Sequence, residues 1–233
     1  HIRGAKTISV TDQYRRPTDL PQQLPVFPLQ GCIMLPRSTL PLNVFEPRYL
    51  QMIADILAGP RILGIVQPER ADESHSPPGK NAPLRRVGCA GRLTAYTETD
   101  EGTVIISLSG ISRFQIVREV ETAKPYRVCE VNYAPFVTDF ARGHGQEQVN
   151  LTRFMRVLRS YLDTHNLRAD WEALNRSPAE LLINTLAMIS PYGPEEKQAL
   201  LEAPDLRTRS EVLMALAEMD MASPEGSSGT TLQ

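Results

Sequence analysis

Residues 87–116 read "VGCAGRLTAYTETDEGTVIISLSGISRFQI". Two β-type runs, Val87–Tyr96 and Thr103–Ser109, flank the turn signal of Asp100 and Gly102. Both residue types tolerate the backbone conformations of a hairpin, so the runs are expected to pair antiparallel. Gly110 reads as the next reversal, opening a further strand over Ser112–Val120. Within "TVIISLS" the alternation is weak and the apolar content high, which points to a strand that is central or buried on both faces. In "RFQIVREV" Phe114, Ile116 and Val120 are expected on one face, with Gln115 and Arg118 less regular.

Working outward, further strands are expected at Val26–Leu29, Thr39–Val44, Arg61–Val66 and Tyr126–Tyr133. Seven short strands punctuated by Gly, Pro, Asp and Asn describe an antiparallel sheet or small barrel. One helix interrupts them, starting inside "LPLNVFEPRYL" (residues 40–50). Pro47 suits the first helical position, where a missing N–H costs nothing. Glu46 would face the positive helix end, Phe45 would staple the first turn, and Arg48 would reach a nearby carboxylate or carbonyl. Leu50, Ile53, Ala54 and Leu57 then form the expected apolar stripe, and Gly59-Pro60 stops the helix. Each residue from Phe45 to Tyr49 thus has a structural use, and the stretch reads as a strand-to-helix corner rather than a reaction centre.

After Tyr133 the pattern changes. A linker over residues 134–146 leads into a helix with Leu151, Phe154, Met155, Leu158 and Leu162 on one stripe. Ser177-Pro178-Ala179-Glu180 offers an N-cap and first turn for a helix to about Ile189. Pro194 opens another, and Asp205 caps a last one carrying Leu206, Val212, Leu213, Leu216 and Met219. The expected organisation is an arm over 1–20, a β-rich domain over 21–135, a helical bundle over 146–221 and a disordered tail over 222–233. Residues 67–84, with "PERADESHSPPGKNAP", read as a long mobile loop.

Composition restricts function. The 233 residues are 41% hydrophobic and 22% charged, a globular balance, and the net charge of −2 gives no general attraction to phosphate backbones or anionic lipids. Cys32, Cys89 and Cys129 form no C-x-x-C pair, so neither a disulfide framework nor a zinc site is expected, only buried thiols in a reducing compartment. No apolar run is long enough to span a membrane and the first residues lack a signal-peptide core, so the expectation is a cytoplasmic protein with no membrane partner.

Signatures of catalysis are missing. The nearest approach to a phosphate-binding loop, "SPPGKNAP", fails in spacing and at Asn81, and no G-x-G-x-x-G, H-E-x-x-H or G-x-S-x-G occurs. His75 and His144 fall in loops, and His165 ends a helix where a cationic imidazole suits the dipole. A Ser–Lys dyad would have to draw on Lys6, Lys80, Lys124 or Lys197, and catalytic lysines need burial. The carboxylates of "PERADES" and "TETDEG" and the arginines 85, 86, 153, 156 and 159 read as solvated surface. No catalytic residue, cofactor or metal is expected.

The segments "LPVFPLQGCIMLPRSTLPLNVFEPRYLQMI", "ILGIVQ", "VGCAGRLTAY", "DEGTVIISLSGISRFQI" and "PYRVCEV" together resemble the Lon N-terminal, substrate-binding domain, in order from Leu24 to Tyr133. The F-E-P-R-Y and G-x-x-R-F segments resemble those of stand-alone bacterial members. The resemblance implies an α+β fold: a PUA-like β pseudobarrel with one inserted helix, followed by a C-terminal helical bundle. It also implies a non-catalytic module that binds unfolded or tagged protein segments, with the ATPase and Ser–Lys peptidase belonging to later domains this chain does not reach. Phe45, Glu46, Pro47, Arg48, Tyr49, Gly110, Arg113 and Phe114 are the family-motif positions and are given structural roles.

Where the family usually carries F-P-G, this chain has Leu35-Pro36-Arg37, which suggests a different turn or a changed surface. If that loop is exposed, Ile33, Met34, Leu35 and Arg37 are candidate peptide contacts; burial as strand-edge core is the equal alternative. A groove between barrel and bundle, with apolar floor and charged rim, is the expected docking place. Self-association stays open as a partner class. The competing readings are an RNA-binding PUA-like domain, disfavoured by the charge, and a Lon-like peptidase-associated protein of other activity.

Overall fold

The computed structural model describes residues 9–69 and 81–223. The expected loop over 67–84 therefore falls mostly outside the described residues, as do the start of the arm and most of the tail. Among the described residues six strands form one sheet: β1 (Gln23–Pro28), β2 (Thr39–Val44), β3 (Ile62–Pro68), β4 (Leu84–Glu98), β5 (Val104–Val120) and β6 (Arg127–Asn132). The order is β2-β5-β4-β3-β1-β6, and β5 also pairs with β6, so five strands close a barrel with β2 as a flap on β5. β1 and β3 run parallel, and the other pairs are antiparallel.

The β4–β5 hairpin forms where the turn chemistry predicts it. Gly102 takes φ 75° and the Thr99 amide donates to the Thr103 carbonyl at 2.9 Å. Gly110, however, is not a reversal: β5 runs through it for 17 residues, merging two expected strands. The glycine is needed for close approach. A Cβ there would stand 2.0 Å from the Leu35 carbonyl oxygen. The loop at Leu35–Ser38 clips onto this point, with Arg37 N donating to Gly110 O (2.8 Å) and Gly110 N to Ser38 O (2.9 Å). The first half of β5 also alternates more than its composition suggests, with Val104, Ile106 and Leu108 buried and Ile105 half exposed.

α1 spans Pro47–Leu57, starting at the expected proline. Its fully buried residues are Tyr49, Met52, Ile53 and Ile56; of the expected stripe Ile53 is buried and Leu50 and Leu57 pack partly on the core, while Ala54 faces solvent. The helix is turned because Tyr49 stacks on Phe27 at 4.2 Å between ring centroids and so fixes its phase. Phe45 is 62% exposed and does not staple the first turn. Glu46 makes no side-chain cap; its carboxylate accepts from Arg48 Nε at 3.0 Å, and the Arg48 guanidinium lies over the Tyr49 ring.

The helical part holds α2 (Leu151–Thr164), α3 (Trp171–Arg176), α4 (Ala179–Ile189), α5 (Pro194–Glu202) and α6 (Leu206–Ala222). α3 was not expected. It also changes the role of Ser177, which ends α3 and donates its hydroxyl to Ala173 O instead of capping α4, whose N-cap is Pro178. Asp205 caps α6 as its position predicts, accepting from Thr208 N at 2.7 Å. Much of the expected linker is a packed 3-10 segment, Ala134–Phe140, carrying the buried Asp139. Ser9–Leu20 likewise packs on the barrel through two 3-10 turns and the buried Leu20.

Two apolar cores result. Leu24, Val26, Ile62, Ile111, Phe114 and Cys129 belong to the smaller one. A larger cluster runs from Phe27, Met34, Ile53 and Ile106 through Ile183, Leu200 and Leu213, so barrel and helices share buried surface.

Candidate functional site

The junction of barrel and helices is built from charged side chains. Arg37 has φ 60°, the left-handed region where a glycine would be expected. Arg37 thus adopts the conformation that glycine favours, and its side chain reaches across the junction. Arg37 Nη2 lies 2.6 Å from Glu180 Oε1 on α4, Nε donates to both Glu180 oxygens, and Nη2 also donates to Asp139 O. Glu180 accepts from Gly143 N as well, at 2.7 Å.

Beside this pair, Arg113 and Asp139 meet with side chains 3% and 9% exposed. Asp139 Oδ2 accepts from both Arg113 N and Nε, and Oδ1 from Nη2 at 2.9 Å. Arg113 Nη1 donates to Leu201 O and Ala203 O, tying β5 to the end of α5. Arg209 from α6 is buried too, bonding Leu200 O and Asn184 Oδ1, while Asn184 donates to Pro36 O. Burial lowers the Arg209 pKa to about 10.

These contacts leave a cavity of only about 30 Å³, room for a water and not for a peptide. Where Arg37, Arg113, Asp139 and Glu180 meet, barrel and bundle interlock through charge-assisted hydrogen bonds and leave no peptide-sized groove. Ile33, Met34 and Leu35 are 2%, 0% and 0% exposed. The loop takes the buried alternative, since Met34 fills the space beside Gly91 and Leu35 meets Gly110. Neither these three nor the ion-paired Arg37 offers a free contact surface. Of the motif residues, Phe45 and Pro47 are exposed, while Arg113 and Phe114 are 3% and 0% exposed.

A second concavity lies wholly in the helical part. α2, α4 and α6, with the turns after α2 and α4, enclose about 340 Å³ lined by Phe154, Leu158, Tyr161, Leu186, Leu213 and Met214 among others. Leu167 (53% exposed) and Ile189 (70%) stand on its rim. The residues belong to stripes that the helical spacing marks as apolar, yet only Phe154 of α2 is fully buried. One core cannot bury all of them, and the surplus forms the groove. Sequence periodicity carries the stripe but not the space left between three stripes.

Near the groove, Lys197 of α5 is 2% exposed and donates to Ala187 O and Met188 O at the end of α4. Burial pulls its pKa down to about 8, with Cys32 opposing in part. Ser190 donates to the same Ala187 carbonyl at 2.9 Å, so both groups serve as caps on α4. Burial pushes the Cys32 and Cys129 thiols up to about 11 and Cys89 further, and all three cysteines are free. The arginines considered for nucleic acid are partly engaged: Arg85 pairs with Glu195 at 2.5 Å and Arg153 with Glu218 at 3.6 Å. Among the described residues no cluster of His, Cys, Asp and Glu could hold a metal ion, and no helix is long and apolar enough to cross a membrane.

A closed sheet joined through a buried ionic seam to a helical bundle with an open apolar groove defines an α+β domain. The chain belongs to the family of the ATP-dependent protease La (LON) substrate-binding domain, whose model matches residues 23–218. It is 27% identical over 199 residues to Lon protease 2 of Myxococcus xanthus, and 27% identical over 196 residues to the Lon protease of Syntrophus aciditrophicus. Those matches cover 85% and 82% of this chain and 24% of each relative, so the chain spans about a quarter of their length. Two solved structures share the fold. A Lon N-terminal domain protein from Xanthomonas campestris aligns with TM-score 0.58 at 22% identity, covering 83% of this chain and 97% of its own. The N-terminal domain of the Mycobacterium avium complex Lon protease gives 0.60 at 18%, covering 84% and 98%.

Proposed function

We propose that this protein is a non-catalytic module that docks apolar-rich segments of unfolded or tagged proteins, as an adaptor in protein quality control, and that it does so in the groove between α2, α4 and α6. The single observation carrying this reading is the groove itself: about 340 Å³ of apolar space with Leu167 and Ile189 exposed on its rim. Solvent-exposed apolar concavities are costly to keep unless something fills them. Family membership supports a protein segment as that something. The free, largely buried cysteines suit a reducing compartment, and the module is read as cytoplasmic.

Fluorescence anisotropy with labelled, reduced and carboxymethylated α-lactalbumin tests it against the native, disulfide-bonded form. The unfolded chain should bind and the native one should not. Leu167→Asp and Ile189→Asp, both at exposed positions, should remove binding while leaving the circular dichroism spectrum unchanged. Equal affinity in wild type and both variants would rule the groove out, and an absence of binding to any unfolded chain would rule out the docking role.

A further inference from the structure

The chemistry of the groove wall limits the conformation of what it holds. Three helices and two turns form it, and a helix backbone spends its donors and acceptors on itself. Among the described lining residues, Ser190 and the hydroxyls of Tyr161 and Tyr192 are the only side-chain polar groups, and Ser190 already donates to Ala187 O. An extended segment brings one donor and one acceptor with each residue and would bury many of them here without partners. Strand addition needs an open sheet edge, and this wall has none. A helical segment arrives with its backbone groups already paired.

The wall also has a helical spacing to match. Phe154, Leu158 and Tyr161 lie at i, i+4 and i+7 of α2, a ridge about 10 Å long at 1.5 Å per residue. Arg156 and Arg159 fall on the face of α2 turned away from this ridge, Arg159 lying over the Trp171 ring, so the charged side of the helix does not line the groove.

We infer that the occupant is an amphipathic helix formed by the docked segment, with apolar residues at i, i+3 or i+4 and i+7 on the groove. This rests on the docking role proposed above and narrows it to segments able to form a helix, rather than any apolar stretch.

Two fluorescein-labelled peptides of identical composition separate the two claims. One is a lactam-stapled amphipathic helix with Leu at i, i+3 and i+7 and Glu on its flanks; the other carries D-residues at mid-chain that prevent the helix. The stapled peptide should bind roughly tenfold or more tightly and lose that binding in Ile189→Asp. Equal binding of both peptides, lost from both in Ile189→Asp, would overturn the helical inference and leave the docking role standing. Binding of neither peptide, with unfolded α-lactalbumin also failing to bind, would overturn both.

Discussion

Arg37 and Glu180 are 143 positions apart in the chain and meet through three short hydrogen bonds, the closest 2.6 Å. The arginine sits at φ 60°, a conformation that costs a side-chain-bearing residue about 1–2 kcal/mol. The pair has side chains 15% and 13% exposed, so it is worth more than a surface ion pair. Strain and attraction therefore oppose each other at one residue. Arg37→Ala removes the pair and keeps the strain, and should destabilise by about 3 kcal/mol. Arg37→Gly removes both and should recover about 1 kcal/mol of that loss. Urea denaturation of the two variants decides it, and a glycine variant no more stable than the alanine one would show that the positive φ carries no strain.

Arg113 and Asp139 make the stronger claim on the joint. Arg113 uses four donors there, two of them on carbonyls at the end of α5. A lysine cannot reproduce that planar fork. Arg113→Lys should lose about 3–5 kcal/mol, the range for breaking a buried pair, with hydrogen exchange rising first in α5. Asp139→Asn keeps an acceptor and should lose less. If Arg113→Lys were as stable as wild type by chemical denaturation, the seam would not hold the two parts together.

The same residues show what the amino-acid sequence tells and what it withholds. The β4–β5 turn, the start of α1 and the Asp205 cap follow from local chemistry, since a turn glycine, a proline or a capping carboxylate acts on its own neighbours. Gly110 misleads because its reason lies in Leu35, and Arg37 because its compensation lies in Glu180. The phase of α1 depends on Phe27, a strand away. The short α3 has too few residues to show a period. In the groove, Phe154, Leu158, Leu162 and Leu213 were legible as parts of apolar stripes, whereas the α4 residues and the gap between the helices were not, because periodicity says which face is apolar and not what fills the space beyond it.

Asp55 on α1 gives an acid-side test. Its carboxylate accepts from the Tyr126 hydroxyl at 2.5 Å and from Lys124 and Gln51, and these bonds, Tyr126 first, hold its pKa at about 2. The folded value lies below the ordinary 3.8, so the stabilisation is present above about pH 4 and is lost as pH falls towards 2. Wild type should therefore melt higher than Tyr126→Phe at pH 6, and the gap should close between pH 4 and 2. A gap that stays constant down to pH 2 would mean the hydroxyl does not act through this carboxylate.

Lys197 predicts the opposite behaviour on the alkaline side. Its folded pKa of about 8 lies below the ordinary 10.5 because burial disfavours the ammonium. Between those values the unfolded chain binds more protons than the folded one, so stability from this group rises with pH. The buried thiols and tyrosines have raised values and act in the other direction above about pH 9, which makes the raw pH profile of wild type ambiguous. Subtracting a variant removes them. The stability of wild type minus that of Lys197→Met should increase between pH 7 and 9.5 by on the order of 1–2 kcal/mol, read from urea midpoints at each pH. A flat difference would mean that Lys197 stays charged across the range, held by the Ala187 and Met188 carbonyls more firmly than burial opposes it.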